Sequence, residues 1–204
     1  MTQTQAARRG PKPNPRTRHD LLQAGVGMIH SGGFNATGVK DIVPSAGVPK
    51  GSFYNHFTSK EAFGAEVADT YFAGGLTSMR EILQDPKVAP LERLRRYFDD
   101  RAARLRTNDY ARGCLLGNLT LETADHSDRI RERTAAHFET WSSLFRDCIE
   151  QAKLDGDITS TLPADTLAQF LLNSWEGALL RARSERDERP LKEFIDVVFG
   201  TLLK

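Results

Sequence analysis

Cys114 is the side chain of this 204-residue sequence whose neighbours best equip it for chemistry on a small molecule. It lies in the run RGCLLGNLTLE, between two glycines and beside Arg112, at the predicted start of a helix. A helix N-terminus and a neighbouring cation both lower a thiol pKa, and the thiolate is the form that attacks electrophiles and oxidants. The glycines allow a small molecule to approach closely. We therefore predict a reactive thiolate at Cys114.

A second run, WEGALLRAR, adds an aromatic wall at Trp175 and cations that include Arg183. The predicted effector site consists of five residues: Arg112, Cys114, Asn118, Trp175 and Arg183. Two other interpretations of Cys114 stay open. It could line a cavity in which Arg112 or Arg183 pairs with a carboxylate ligand without covalent chemistry, or it could be a small buried apolar residue. The other cysteine, Cys148, falls in a long amphipathic pattern, and ordinary packing is expected there.

An enzyme is the alternative from a different functional class. Cys114 with His126 or His137 could form a thiol hydrolase or transferase, because Cys–His pairs activate nucleophiles. The sequence contains no nucleophile-elbow motif and no obvious third group to orient the histidine. We therefore predict that the protein is not an enzyme. No His or Cys cluster has metal-site spacing and there is no nucleotide-binding glycine fingerprint, so no cofactor is expected.

The run AGVPKGSFYNHFTSKEAF, residues 46–63, predicts a turn, an aromatic-rich helix and a capped new helix. Phe53 and Phe57 stand four residues apart on one helical face and are expected in the core. The other face holds Tyr54, Asn55 and His56, side chains suited to phosphates and base edges. Thr58 and Glu61 have the spacing of a capping box, so a helix should begin at Thr58. This arrangement is typical of a helix that reads nucleic acid.

From Thr37 through Phe63 the sequence resembles the DNA-binding domain of the TetR family of transcriptional repressors. The resemblance implies that Tyr54, His56 and Lys60 touch DNA phosphates. It also implies a homodimer that binds an inverted-repeat operator and releases it when a small-molecule effector binds. The remaining DNA-binding residues carried over by the resemblance, with base or phosphate partners left open, are Thr37, Lys40, Lys50, Ser52 and Asn55.

The segments around Cys114 and Trp175 are similar to those of the NemR/AcuR-like cysteine-containing subgroup of that family. In this subgroup, a cysteine in an RGCL-like segment is associated with sensing electrophiles such as quinones, aldehydes or acrylate. The resemblance implies a sensor role for Cys114. Where those relatives have a lysine, this chain has Arg183, which keeps the charge but loses an amine that could titrate.

The charges are distributed unevenly along the chain. The net charge is +1, yet residues 1–60 hold eight basic and two acidic side chains, a net +6, and residues 61–204 hold 20 basic and 25 acidic, a net −5. A basic head on an acidic body is expected when one end approaches DNA.

Residues 1–15 contain three prolines and are predicted to form a flexible basic arm. Neither a secretory signal nor a membrane-spanning run is apparent, which favours a cytoplasmic protein.

Helical periodicity continues through the rest of the sequence, and no run alternates with a period of two. We predict an all-α fold with a three-helix head at residues 16–60, containing a helix-turn-helix, and an effector-binding and dimerisation domain at residues 61–204. The apolar spacing in residues 167–178 and 194–201 predicts two amphipathic helices that form a dimeric four-helix bundle. Pro44 should kink or shorten the second helix.

Overall fold

The structure is a computed structural model that describes residues 15–49 and 51–204. Within those ranges the chain forms helices and turns and no strand. The helices are α1 (Pro15–Gly32), α2 (Val39–Ser45), α3 (Lys60–Leu83), α4 (Pro90–Arg106), α5 (Leu115–Thr123), α6 (Asp128–Leu154), α7 (Ala164–Glu185) and α8 (Arg189–Val197). The predicted basic arm lies, apart from Pro15, outside the described residues, as does Lys50.

The head consists of α1, α2 and a single 3₁₀ turn at Phe53–Asn55. Its core is aromatic, because Phe53 and Phe57 are 0 and 3% exposed and both rings contact Phe63 at the start of α3. Their predicted burial is confirmed. Truncation of such a buried ring to alanine typically costs about 3–5 kcal/mol, so this cluster holds the head together.

Two local predictions for the head are wrong. The aromatic segment forms one 3₁₀ turn instead of a full helix. The His56 N–H closes this turn on the Phe53 carbonyl, and the backbone is extended at Ser59, just before α3. The next helix is capped by Ser59, whose extended backbone lets its hydroxyl accept the Ala62 N–H at 3.1 Å. Thr58 lies one residue too early to make that bond.

In α2, Pro44 lies one residue before the helical end, consistent with the predicted shortening.

The body consists of α3 to α8. α3 packs against α1 in the head and against α6 in the body, so it is the continuous connection between the two. α6 is central, since α3, α4, α5 and α7 all contact it. A ring cluster fills the middle of the body, where Phe98 contacts Phe145, Trp175 and Phe194. α8 packs on α7 and ends in a π-helical turn at Val198–Leu202.

A second connection joins head and body through α5. The Glu122 carboxylate accepts the backbone N–H groups of Phe34 and Asn35 at 3.0 and 2.8 Å. Gly33 makes this approach possible, because its φ is +88° and a Cβ there would lie 2.9 Å from Glu122 Oε1. At the other end of α5, His30 Nε2 donates to the Gly113 carbonyl at 2.9 Å. Both ends of α5 are therefore tied to the head.

In the part of the chain that the structure describes, no helix is long and apolar enough to cross a membrane.

Candidate DNA-binding and effector sites

The predicted DNA-binding side chains of the head differ in their exposure to solvent. Tyr54 is 68% exposed, although its ring still touches Phe53. Asn55 and Lys40 are exposed, and Ser52 and His56 are half-buried. A large aromatic ring left in solvent while its neighbours are buried is available to a partner.

The side chains of Thr37 and Lys60 already make contacts inside the protein. The Thr37 side chain is 6% exposed and its hydroxyl donates to the Gly33 carbonyl at 2.6 Å, so it is already used inside the protein. It does not cap α2, which begins after Gly38. Lys60 Nζ lies 4.5 Å from the centre of the Phe34 ring and 3.5 Å from the Asn35 carbonyl. These contacts hold its cation at the first turn of α3.

A cavity of about 410 Å³ opens inside the body between α3, α4, α6 and α7. Its volume is suited to a small molecule. Aromatic side chains make up much of its wall, including Tyr71, Phe72, Tyr97, Trp141 and Trp175. Arg101, Arg104 and Arg112 add positive charge at its edge.

Two buried polar groups on this wall have no hydrogen bond of good geometry among the described residues. The Tyr97 side chain is fully buried and Trp141 is 7% exposed, and neither the Tyr97 hydroxyl nor Trp141 Nε1 makes such a bond. Burial raises the pKa of the Tyr97 hydroxyl, and the nearby Trp141 side chain opposes part of that rise. Buried polar groups are usually paired, and leaving one unpaired costs about 1–3 kcal/mol. A ligand oxygen placed between them would recover that energy.

A second cavity, of about 440 Å³, lies between α5 and α7 and is lined by Asn118, Glu176 and Arg183 among others. Cys114 lines both cavities. Its backbone is the N-cap of α5, so the predicted position at a helix start is confirmed. The residue thus forms part of the wall of both cavities, although it is only 7% exposed.

The prediction of a reactive thiolate at Cys114 is wrong for this conformation. Burial raises the pKa of the thiol well above its usual value, and the nearby Glu176 carboxylate raises it further. Arg112, the expected stabilising cation, lies on the first cavity. The thiol is therefore protonated at neutral pH until something removes its proton.

Glu176 is the unexpected member of the site. Its Oε2 is 2.8 Å from the position that a Cβ on Gly117 would occupy, and Oε1 is buried without a hydrogen-bond partner. Burial raises the pKa of this carboxyl group to about 7, and the interaction with the Cys114 thiol partly opposes that rise. The carboxyl group is thus poised between its two protonation states at neutral pH.

The structure divides the five predicted effector residues between the two cavities. Arg112 and Trp175 line the first, Asn118 and Arg183 line the second, and Cys114 joins them. Arg183 Nη1 donates to Asn118 Oδ1 at 2.9 Å, and Asn118 Nδ2 donates to the Arg112 carbonyl at 2.8 Å. The arginine therefore fixes the loop that carries Cys114.

The histidines proposed for an enzyme are used elsewhere. His137 bonds Asp69 Oδ1 at 2.8 Å and stacks on Phe72, while His126 is exposed. The described residues also contain no group of His, Cys, Asp or Glu that could hold a metal ion.

Cys148 is buried as expected and its thiol donates to the Leu83 carbonyl at 2.9 Å.

Sequence reasoning missed Tyr97, Trp141, Glu176 and Glu122. A usable signal existed for Glu176 alone, since a carboxylate directly follows Trp175 on an apolar helix. The others are ordinary helix residues whose roles arise from packing between α4, α5, α6 and the head.

A helix-turn-helix head carried on a helical body with an internal cavity defines a ligand-responsive transcriptional regulator. Two family patterns match the chain: "Bacterial regulatory proteins, tetR family" over residues 21–67 and "Tetracyclin repressor-like, C-terminal domain" over residues 90–198. The chain belongs to the TetR family.

Characterised relatives agree with this assignment. The repressor DhaR of Mycobacterium sp. strain GP1 is 41% identical over 91% of this chain and 92% of its own length. The regulator AcuR of Cereibacter sphaeroides is 35% identical over 91% and 85%. The repressor NemR of Escherichia coli K12 is 29% identical over 88% and 92%. These relatives are transcriptional regulators and not enzymes.

Solved structures share the fold. The regulatory protein TetR from Rhodobacter sphaeroides superposes with a TM-score of 0.83 at 32% identity, covering 90% of this chain and 97% of that one. The reduced form of E. coli NemR gives a TM-score of 0.83 at 28% identity, covering 90% and 96%. The predicted all-α fold with an N-terminal helix-turn-helix and a C-terminal helical domain is confirmed.

Proposed function

We propose that this TetR-type repressor acts in the cytoplasm and releases an inverted-repeat operator when a small electrophile adds to Cys114. The observation that carries the proposal is the position of the Cys114 thiol on the wall shared by two internal cavities. The resemblance to NemR, an electrophile sensor, and to AcuR supports it. Quinones, aldehydes and acrylate-like compounds are the proposed effector class.

On the DNA side, Tyr54, His56 and Lys60 are the proposed phosphate contacts. Lys40, Lys50, Ser52 and Asn55 are further proposed DNA contacts, and Thr37 contributes through its backbone because its hydroxyl is bonded internally. Two heads of a homodimer would read two half-sites, since one short recognition turn contacts few base pairs. We also propose that the DNA-binding domain ends at residue 60. α3 starts there and continues without a break into the body.

The proposed mechanism is a shift between two conformations. A group added at Cys114 must be accommodated between α5 and α7, beside the Glu176 carboxylate, whose Oε2 lies 2.8 Å from the position of a Cβ on Gly117. α5 is bonded to the head through Glu122 and Gly113, so displacement of α5 moves α1 and the turn that follows it. The two heads then lose the spacing that fits successive major grooves.

A non-covalent effector is the second candidate, and the unpaired donors of Tyr97 and Trp141 favour it. A small carboxylate could accept hydrogen bonds from both and pair with Arg112 at the edge of the cavity. Cys114 would then be only a wall residue.

Mass spectrometry combined with an operator-release assay distinguishes covalent from non-covalent sensing. We expect exposure to a quinone or acrolein to add mass at Cys114 and to release labelled operator DNA. Cys114→Ser should keep full operator affinity yet lose release, whereas the matched variant Cys148→Ser should behave like the wild type. Release from a protein whose Cys114 is unmodified would refute covalent sensing and favour the carboxylate.

A further inference from the structure

We propose that Glu176 is the proton acceptor that activates Cys114: its carboxylate takes the thiol proton as the sulfur adds to an electrophilic carbon. The inference rests on the proposed covalent sensing at Cys114. It assigns to Glu176 a reaction step that neither the sequence motif nor the resemblance contains.

Geometry brings the two side chains together across Gly117. The point where a Gly117 Cβ would lie is 2.8 Å from Glu176 Oε2 and 3.8 Å from Cys114 Cβ. The missing side chain therefore leaves the space that the carboxylate occupies beside the thiol. Both residues line the second cavity, through which an electrophile can reach the sulfur.

Glu176 is free to accept a proton. Oε1 is buried and makes no hydrogen bond, and no ion pair to Glu176 occurs among the described residues. Arg183, on the same helix and the same cavity wall, is bonded to Asn118. An unpaired carboxylate in a partly dry site is a stronger base than one in water.

The surrounding titratable groups do not compete for this role. Tyr71 from α3 and Tyr97 from α4 both face the pair, and burial raises the pKa of each phenol, so both stay uncharged. The Glu176 pKa of about 7 is close to the operating pH, where a general base is most effective. The raised pKa of the Cys114 thiol makes such a base necessary, since little thiolate exists beforehand.

With an α,β-unsaturated carbonyl compound the step balances without an oxidant. The S–H proton moves to the Glu176 carboxylate while the sulfur electron pair forms a C–S bond at the β-carbon. The C=C π pair shifts to give an enolate, whose α-carbon then takes the proton held by Glu176, either directly or through a water that relays it. The carboxylate is restored, and one S–H and one C=C π bond have been replaced by C–S and C–H bonds.

The test follows the rate of addition of methyl vinyl ketone to Cys114 in the full-length protein, measured by mass spectrometry as a function of pH. In the wild type the rate should rise as Glu176 loses its proton around pH 7. Glu176→Gln should slow the reaction at neutral pH by about tenfold or more and remove this inflection. Gly117→Ala should slow it too, because the new methyl group displaces the carboxylate.

The control is Glu132→Gln, an exposed carboxylate on α6 whose loss should leave the rate unchanged. If Glu176 only suppressed thiolate formation, Glu176→Gln would react as fast as the wild type or faster, which would overturn this inference alone. A wild-type protein that never takes up the probe at Cys114 overturns the proposed function and this inference with it. Far-ultraviolet circular dichroism verifies that each variant is folded.

Discussion

At the Cys114 thiol, burial shifts the pKa more than the helix N-terminus does. A helix N-terminus stabilises a neighbouring anion by about 0.3–1 kcal/mol, which is less than one pKa unit. Desolvation of a fully buried group can shift its pKa by about 3–5 units in the opposite direction. The negative charge of Glu176 raises the pKa of the thiol further. A buried thiol beside a carboxylate contains little thiolate and is therefore protected from indiscriminate oxidation.

At the DNA surface, Lys60 is the residue with the clearest expected effect. Lys60→Ala should weaken binding to all duplexes similarly and lower the slope of log affinity against log salt by about 1, because one phosphate contact is lost. The slope is obtained from operator affinities at several salt concentrations. Lys87→Ala, an exposed lysine in the loop between α3 and α4, is the matched control. An unchanged slope in the Lys60 variant would show that the first turn of α3 does not face the backbone.

At the scale of elements, α5 is the short helix that connects the proposed sensor residue Cys114 to the head. Its first turn begins at Cys114 and its last turn holds Glu122, whose carboxylate takes two backbone N–H groups of the head. The helix spans nine residues, so a shift at one end is transmitted to the other without bending. α3 is the longer connection, since it is capped at Ser59 in the head and carries Tyr71 and Phe72 on the wall of the first cavity.

Glu122→Gln tests this connection. The amide keeps one acceptor oxygen where the carboxylate had two, so one backbone N–H loses its partner and the free energy of unfolding should fall by about 1–3 kcal/mol. Operator binding without effector should persist, and modification of Cys114 should weaken it several-fold less than in the wild type. Glu81→Gln, exposed on α3, serves as the control. Full release in the Glu122 variant would assign the coupling to α3.

At the scale of the whole molecule, one apolar groove is open to solvent. It runs between α7 and α8, where Phe170 is 52% and Val197 is 60% exposed. TetR-family regulators are dimers, and a groove with two large exposed apolar side chains is the natural place for the partner's helices. Gly177 lines both this groove and the second cavity, so the proposed interface adjoins the sensor.

Val197→Glu should disrupt the dimer, because a charge would be buried in the proposed interface. We expect a monomer by analytical ultracentrifugation and loss of binding to an inverted repeat. Leu154→Glu is the matched control, since Leu154 is 87% exposed at the far end of α6 and its substitution should leave a dimer. A stable dimer in the Val197 variant would exclude the α7–α8 face as the contact.

The sequence by itself determined the all-helical fold, the helix-turn-helix head and the position of Cys114 at a helix start. Those features are encoded locally, by apolar spacing, by glycine and proline breaks, and by short motifs. The cap at Ser59 and the 3₁₀ turn at Phe53–Asn55 were missed because they depend on shifts of one or two residues at element ends, where competing caps differ little in energy.

Tertiary structure alone decided the character of the thiol. Glu176 lies 62 positions after Cys114 in the chain, and only the packing of α7 against the start of α5, with Gly117 between them, brings its carboxylate to the sulfur. Likewise, the Glu122 bonds to the head and the unpaired donors of Tyr97 and Trp141 arise where separate helices meet. A pKa depends on solvent exclusion and on nearby charges in space, so the reactivity of Cys114 could not be inferred from its sequence neighbours.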